Sequence, residues 1–212
     1  MKTIIVLAGL WAVLYGCSYT VLETTSPAEN IYSFHNYKIQ GPVVLVIDED
    51  LKNIERKVRP LSSPCSGYKY PVKMESSVAD SIKKTTEKIF TQVLELNRLP
   101  TKEELKERNC QGTIYVKLNR FNPALWVSNG TALANCEIVL DVAIMDSDDH
   151  DLLVTTVSGA RFAEGDSGGF CKKAAAVLSD AIFLSLRETM ERYAERISNS
   201  EKIRNAFAPR GK

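Results

Sequence analysis

Histidine is almost missing from this sequence: His35 and His150 are the only two in 212 residues. Imidazole is the usual neutral-pH base and a common metal ligand, so its scarcity leaves few ways to build a catalytic dyad. No Cys-x-x-Cys pair occurs, and a zinc site would need an unusual ligand arrangement. Excess charge is absent too: the formal net charge is +1, and Lys2 alone accounts for it. A balanced chain gives no reason to expect a nucleic-acid partner. Beyond the first residues no apolar run approaches the roughly 20 needed to span a bilayer. There is no internal repeat, and nothing calls for a cofactor or a bound metal.

What is present begins at residue 1. Lys2 gives a single positive charge, and residues 3–13 are almost wholly apolar, with Ile4, Ile5, Val6, Leu7, Leu10, Trp11 and Val13. A charged start, a short apolar stretch and a small residue at its end make a secretory signal. Leu14-Tyr15-Gly16-Cys17 closes it and resembles the lipobox of bacterial lipoproteins, although Tyr15 is bulkier than the usual occupant. The resemblance implies cleavage before Cys17, acylation of that cysteine and attachment to a membrane through the lipid. Ser18 follows where an aspartate would retain many lipoproteins in the inner membrane, which implies the outer membrane and a periplasm-facing domain.

Export gives the other cysteines a meaning. Cys65, Cys110, Cys136 and Cys171 are four thiols bound for an oxidising compartment, so two disulfides are expected, with three pairings open.

Residues 1–16 are thus read as signal, 17–40 as a tether, 41–200 as one α/β domain and 201–212 as a fraying tail. Val43 to Ile47 is an unbroken apolar run bounded by Asp48-Glu49-Asp50, the mark of a strand buried on both faces. Residues 51–73 hold Pro60, Pro64, Gly67 and Pro71 and read as irregular. Val78, Ile82, Ile89, Val93 and Leu96 fit helical spacing, so a helix is expected over residues 76–96, capped by Ser77 and Asp80. Thr101 and Glu104 repeat the capping signature before a short helix. Strands follow at residues 114–118, 134–144 and 152–162, the second with the clearest alternation, which places Cys136 inward. A long helix over residues 172–197 ends the domain. The order β-α-β-β-β-α predicts a two-layer α/β sandwich, a mixed sheet of about four strands with two main helices.

Three motifs compete with blander explanations. Gly165-Asp166-Ser167-Gly168-Gly169 matches the nucleophile segment of trypsin-like proteases. However, His35 lies in the tether and His150 in an acidic turn, so a glycine-rich turn explains it better. A periplasmic serine hydrolase using Ser167 is the alternative function. Asp146, Asp148, Asp149 and Asp151, with His150 among them, bring carboxylates that calcium prefers, yet the EF-hand glycine is missing, and a solvated turn accounts for them. Trp126, in an apolar loop between Pro123 and Gly130, is either a core anchor under the loop or an exposed contact for a protein partner or membrane.

The strand at residues 43–48, the helix from Ser76, and Thr155-Thr156-Val157-Ser158-Gly159 before an alanine-rich helix together resemble a group of outer-membrane lipoproteins. Their domain is like the N-terminal part of the translocation protein TolB. The group includes the curli secretion lipoprotein, the Pel polysaccharide-export lipoprotein and penicillin-binding-protein activators. It implies a non-catalytic envelope protein that binds a partner or self-assembles as a homo-oligomer, and it carries over no catalytic residue. A carrier of an apolar or glycan ligand has only Trp126 in its favour.

Overall fold

Gly41-Pro42, just ahead of the apolar run at residues 43–47, lies inside the first strand. Strand β1 runs from Ile39 to Ile47, and Gly41 takes φ +95° where the register to its neighbour slips. The computed structural model describes Val21 and residues 25–62 and 65–208; Cys17 and the leading segment lie outside these.

Among the described residues, β1 alone has parallel neighbours on both sides. One is β5 (Gly112–Ser128); the other is β4 (Phe90–Leu96). The expected helix over residues 76–96 is therefore corrected. Helix α1 spans Ser77–Ile89, and Phe90 already has extended backbone at φ −103°, ψ 151°. Val93 and Leu96 satisfied the helical period, but Phe90-Thr91-Gln92-Val93 also suits a strand, and pairing with β1 overrode the local pattern. The expected Ser77 cap moves as well: Ser76 is the N-cap, and its hydroxyl donates to the Asp80 carboxylate at 2.8 Å. Helix α2 (Lys102–Glu107) does carry the expected capping box, with Thr101 and Glu104 bonded reciprocally.

Strands β5, β6 (Thr131–Asp146) and β7 (Asp151–Asp166) form a long antiparallel meander. The main sheet thus has five strands, ordered β4-β1-β5-β6-β7, one more than expected. The stretch expected to be irregular, residues 51–73, instead holds β2 (Glu55–Val58) and β3 (Tyr70–Lys73), paired as a small second sheet.

Helix α1 and the long helix α3 (Ala174–Ser198) cover one face of the main sheet, so the architecture is a two-layer α/β sandwich. Alternate residues of β6 (Ala134, Cys136, Ile138, Leu140, Val142 and Ile144) are buried beneath α3. The approach is close because small groups meet there. Gly159 of β7 faces the α3 backbone, and the Ser185 hydroxyl reaches across to donate to the Cys136 carbonyl at 2.8 Å. On the other face α2 packs, with its Leu105, and Cys110 just after it, against Val44 and Val46.

Both expected ends are corrected by packing. The tether is docked from residue 25 onward: Ser26 and Ala28 are buried, and their amides bond Ser81 and Thr85 of α1. Further on, the Tyr32 and Phe34 amides bond Glu195 of α3 and Asn199, which caps it. At the other end Glu201–Ala206 forms helix α4, with Ile203 and Phe207 in the core, instead of fraying.

Candidate functional site

Ser167 is buried beside the tip of the β5–β6 hairpin. Its hydroxyl donates to the Gly130 carbonyl at 2.9 Å, and its amide donates to the same oxygen at 2.8 Å. These bonds pin the β7–α3 connection to the hairpin. His150 precedes β7 and Ser167 follows it, so 16 strand residues, roughly 50 Å at the rise of a strand, separate them. His35 lies beside Tyr37 and the Arg204 region, past the far end of α3. Neither histidine can take a proton from Ser167, and the residues of the protease-like motif act as a turn.

The acidic turn is explained in the same way. One Asp146 oxygen accepts from the amides of Asp148 (2.8 Å) and His150 (2.9 Å), and the other faces the His150 ring at 3.2 Å. Oxygens of Asp146 and Asp148 and a His150 ring nitrogen do lie within 4.8 Å of one another. The Asp146 carboxylate, however, is already committed to closing the β6–β7 reversal.

Of the four candidate cysteines the structure joins one pair, Cys65–Cys171, 106 residues apart in sequence. The expected second bridge is not formed, because Cys110 and Cys136 lie in different clusters. Cys110 sits under α2, where burial pushes its thiol pKa up; Cys136 sits on the opposite, α3-facing side of the sheet.

Trp126 is not in a loop. It lies in β5, half-buried, opposite Leu133 of β6. Directly paired residues share a sheet face, and Leu133 points away from α3. Trp126 therefore belongs to the outer face of the meander, which no helix among the described residues covers.

That outer face is built in rows across β5, β6 and β7. One row is Lys117, Asp141 and Thr156; the next is Tyr115, Ala143 and Val154. Burial works against charge on Asp141, but donors from Thr156 (2.8 Å) and Asn119 (3.0 Å) and the Lys117 ammonium hold its pKa below the ordinary carboxylate value. These two rows line a shallow hollow of about 620 Å³, with Val154 exposed at its rim. Above it Tyr115 donates to Asp48 at 2.7 Å, which lowers the Asp48 pKa and raises that of the phenol. The sequence reading missed this cluster because its members sit at alternate strand positions, where polar residues look like ordinary solvated faces.

Beside the hollow runs the outer edge of β7, the last strand of the sheet. Two of its amides are satisfied by α3 side chains, Ala160 by Glu188 and Arg161 by Ser185. Further back a groove of about 650 Å³ separates β7 at Leu153 and Val157 from Arg192, Glu195 and Arg196 of α3. An edge strand beside a groove can accept another extended chain.

No helix among the described residues is long and apolar enough to cross a membrane. No family model and no curated protein matches the sequence. Among solved structures the chain is similar to a DUF330-family protein from Xanthomonas campestris, with a TM-score of 0.49 and 13% identity over 89% of this chain and 96% of that one. It is also similar to a minor lipoprotein from Acinetobacter baumannii, with a TM-score of 0.35 and 12% identity over 83% of this chain and 99% of the other. The PelC dodecamer from Paraburkholderia phytofirmans matches with a TM-score of 0.30 and 12% identity over 79% and 96%. Likeness at these levels assigns no family.

Proposed function

We propose that this chain is a non-catalytic envelope lipoprotein, anchored through lipid on Cys17 and facing the periplasm from the outer membrane. It acts by binding a protein partner or further copies of itself. Trp126 was the candidate contact in the sequence; the structure offers the outer face of β5–β7 and the β7 edge as a larger one. The observation that carries the binding role is this uncovered face: a three-stranded meander of 16–17-residue strands with α3 on one side only. The neighbouring histidine that a Ser167 hydrolase requires is replaced by a backbone carbonyl.

The test is a photo-crosslinking amino acid in place of Val154, at the rim of the hollow, in cells making the full chain. A discrete adduct, either a multiple of the chain's own mass or one partner, is expected on irradiation. The same substitution at exposed Lys84 on α1 should give none. Absence of any adduct from Val154, with the variant folded and abundant, would count against binding by this face.

A further inference from the structure

We propose that the disulfide end of the domain lies against the lipid headgroups, with Phe170, Leu61, Leu133 and Trp126 meeting the membrane. This rests on the lipid-anchor reading of Cys17 and adds an orientation to it.

The attachment point sets the geometry. Val21 bridges Val72 of β3, with its amide on the Pro71 carbonyl at 3.1 Å. The bridge is parallel, so the N-terminal side of Val21 faces the Tyr70 end of β3. That end adjoins the Cys65–Cys171 bridge, since the Tyr70 hydroxyl donates to the Cys171 carbonyl at 2.8 Å. Four residues lead from Cys17 to Val21, and even fully extended they reach no more than about 14 Å. A lipid on Cys17 therefore holds this end of the domain at the bilayer surface.

The same end exposes apolar side chains. Phe170 is 84% exposed and Leu61 68%. Leu133 lies on the outer face in one row with Trp126, near the hairpin tip to which Ser167 is pinned. Leu61 is tied to the same region by its amide on the Leu125 carbonyl. Phe170 is also held out at some cost: it and Cys171 have φ of 55° and 60°, a conformation that side chains rarely adopt. Such backbone clusters where it serves a purpose. Flanking these are exposed Lys57, Arg59, Lys69 and Lys172, while Lys173 pairs with Asp166. Aromatic side chains ringed by lysine and arginine suit an anionic headgroup layer, with rings at the interface and cations on phosphates.

Trp126 reports on this directly, because Trp11, the second tryptophan of the chain, falls in the signal. The test uses the full lipidated protein in phosphatidylethanolamine–phosphatidylglycerol vesicles, with and without bromine-substituted acyl chains that quench tryptophan on contact. Burial of the tip by several ångströms predicts an about twofold or greater loss of Trp126 emission. Phe170→Trp in a Trp126→Phe background should be quenched likewise. Thr156→Trp in that background, ten strand residues from the β7 end, should keep its emission. Acylated, vesicle-bound protein whose Trp126 and Phe170→Trp are no more quenched than Thr156→Trp would overturn the orientation alone. Wild type carrying no fatty acid would remove the anchor, and the orientation with it.

Discussion

Replacing Gly159 by alanine is expected to destabilise the domain strongly. A Cβ at this position would lie 2.2 Å from the Ser185 carbonyl oxygen, 2.6 Å from the Thr189 hydroxyl and 2.7 Å from the Thr189 amide nitrogen. Two of these are backbone atoms of a 25-residue helix, so no rotamer change relieves the clash. The helix would have to lift off β7. That lift breaks the bonds from Ser185 to the Cys136 carbonyl and from the Arg161 amide to Ser185, leaving polar groups unmatched in a dry interface. Overpacking of a core costs about 1–3 kcal/mol, and the fixed backbone puts Gly159→Ala at the upper end of that range or beyond. For a domain of this size each kcal/mol lowers Tm by about 2–4 °C. Thermal unfolding of the purified variant checks this; a Tm within about 2 °C of wild type would contradict the packing described.

Removing the disulfide by Cys65→Ser with Cys171→Ser is expected to cost as much or more, by a different route. The bridge closes a loop of 106 residues. In the chain-entropy model a loop of about 100 residues is worth about 4.7 kcal/mol, and loss of native bridges typically costs 2–5 kcal/mol. Total stabilities of about 5–15 kcal/mol make that a large share. The bridge also fastens the small β2–β3 sheet to the start of α3, with Phe170 and Cys171 held in left-handed backbone. Reduced wild type should match the double serine variant in Tm, and oxidised wild type should exceed both. Equal Tm for oxidised and reduced wild type would show that the bridge does not stabilise the fold.

Gly159 was visible in the sequence only as the end of Thr155-Thr156-Val157-Ser158-Gly159, without its reason. The reason lies in α3, 26 residues further on, and strand periodicity carries no trace of how closely a helix will pack. The alternation of β6 was legible because every second residue from Ala134 to Ile144 meets α3. β5 was legible only up to Leu118. There a bulge at Asn119 shifts the register between Leu118 and Arg120, so the inward set changes from Ile114, Val116 and Leu118 to Phe121, Leu125 and Val127. One extra residue inverts a period-two pattern, and with Pro123 beyond it the second half looks like a loop. Pro123 is tolerated because β1 pairs with β5 only at Thr113–Val116, which leaves an edge further along. The β4 error has the opposite cause: Val93 and Leu96, three residues apart, fit one helical face, whereas in the strand they lie on opposite faces, and only pairing with the edge of β1 decides for the strand. The outer-face cluster around Asp141 was hidden for a third reason. Asn119, Asp141 and Thr156 come from three strands, and register alone brings them together.

The lipid on Cys17 is the claim on which orientation, compartment and mode of action all depend. Cells producing the wild-type chain and Cys17→Ser are grown with an alkyne-labelled palmitate analogue, and the protein is isolated from separated inner and outer membranes. Label is expected on the wild type in the outer-membrane fraction and none on Cys17→Ser, with loss of the outer-membrane pool for that variant. Wild-type protein that is exported and folded yet carries no label would contradict the claim.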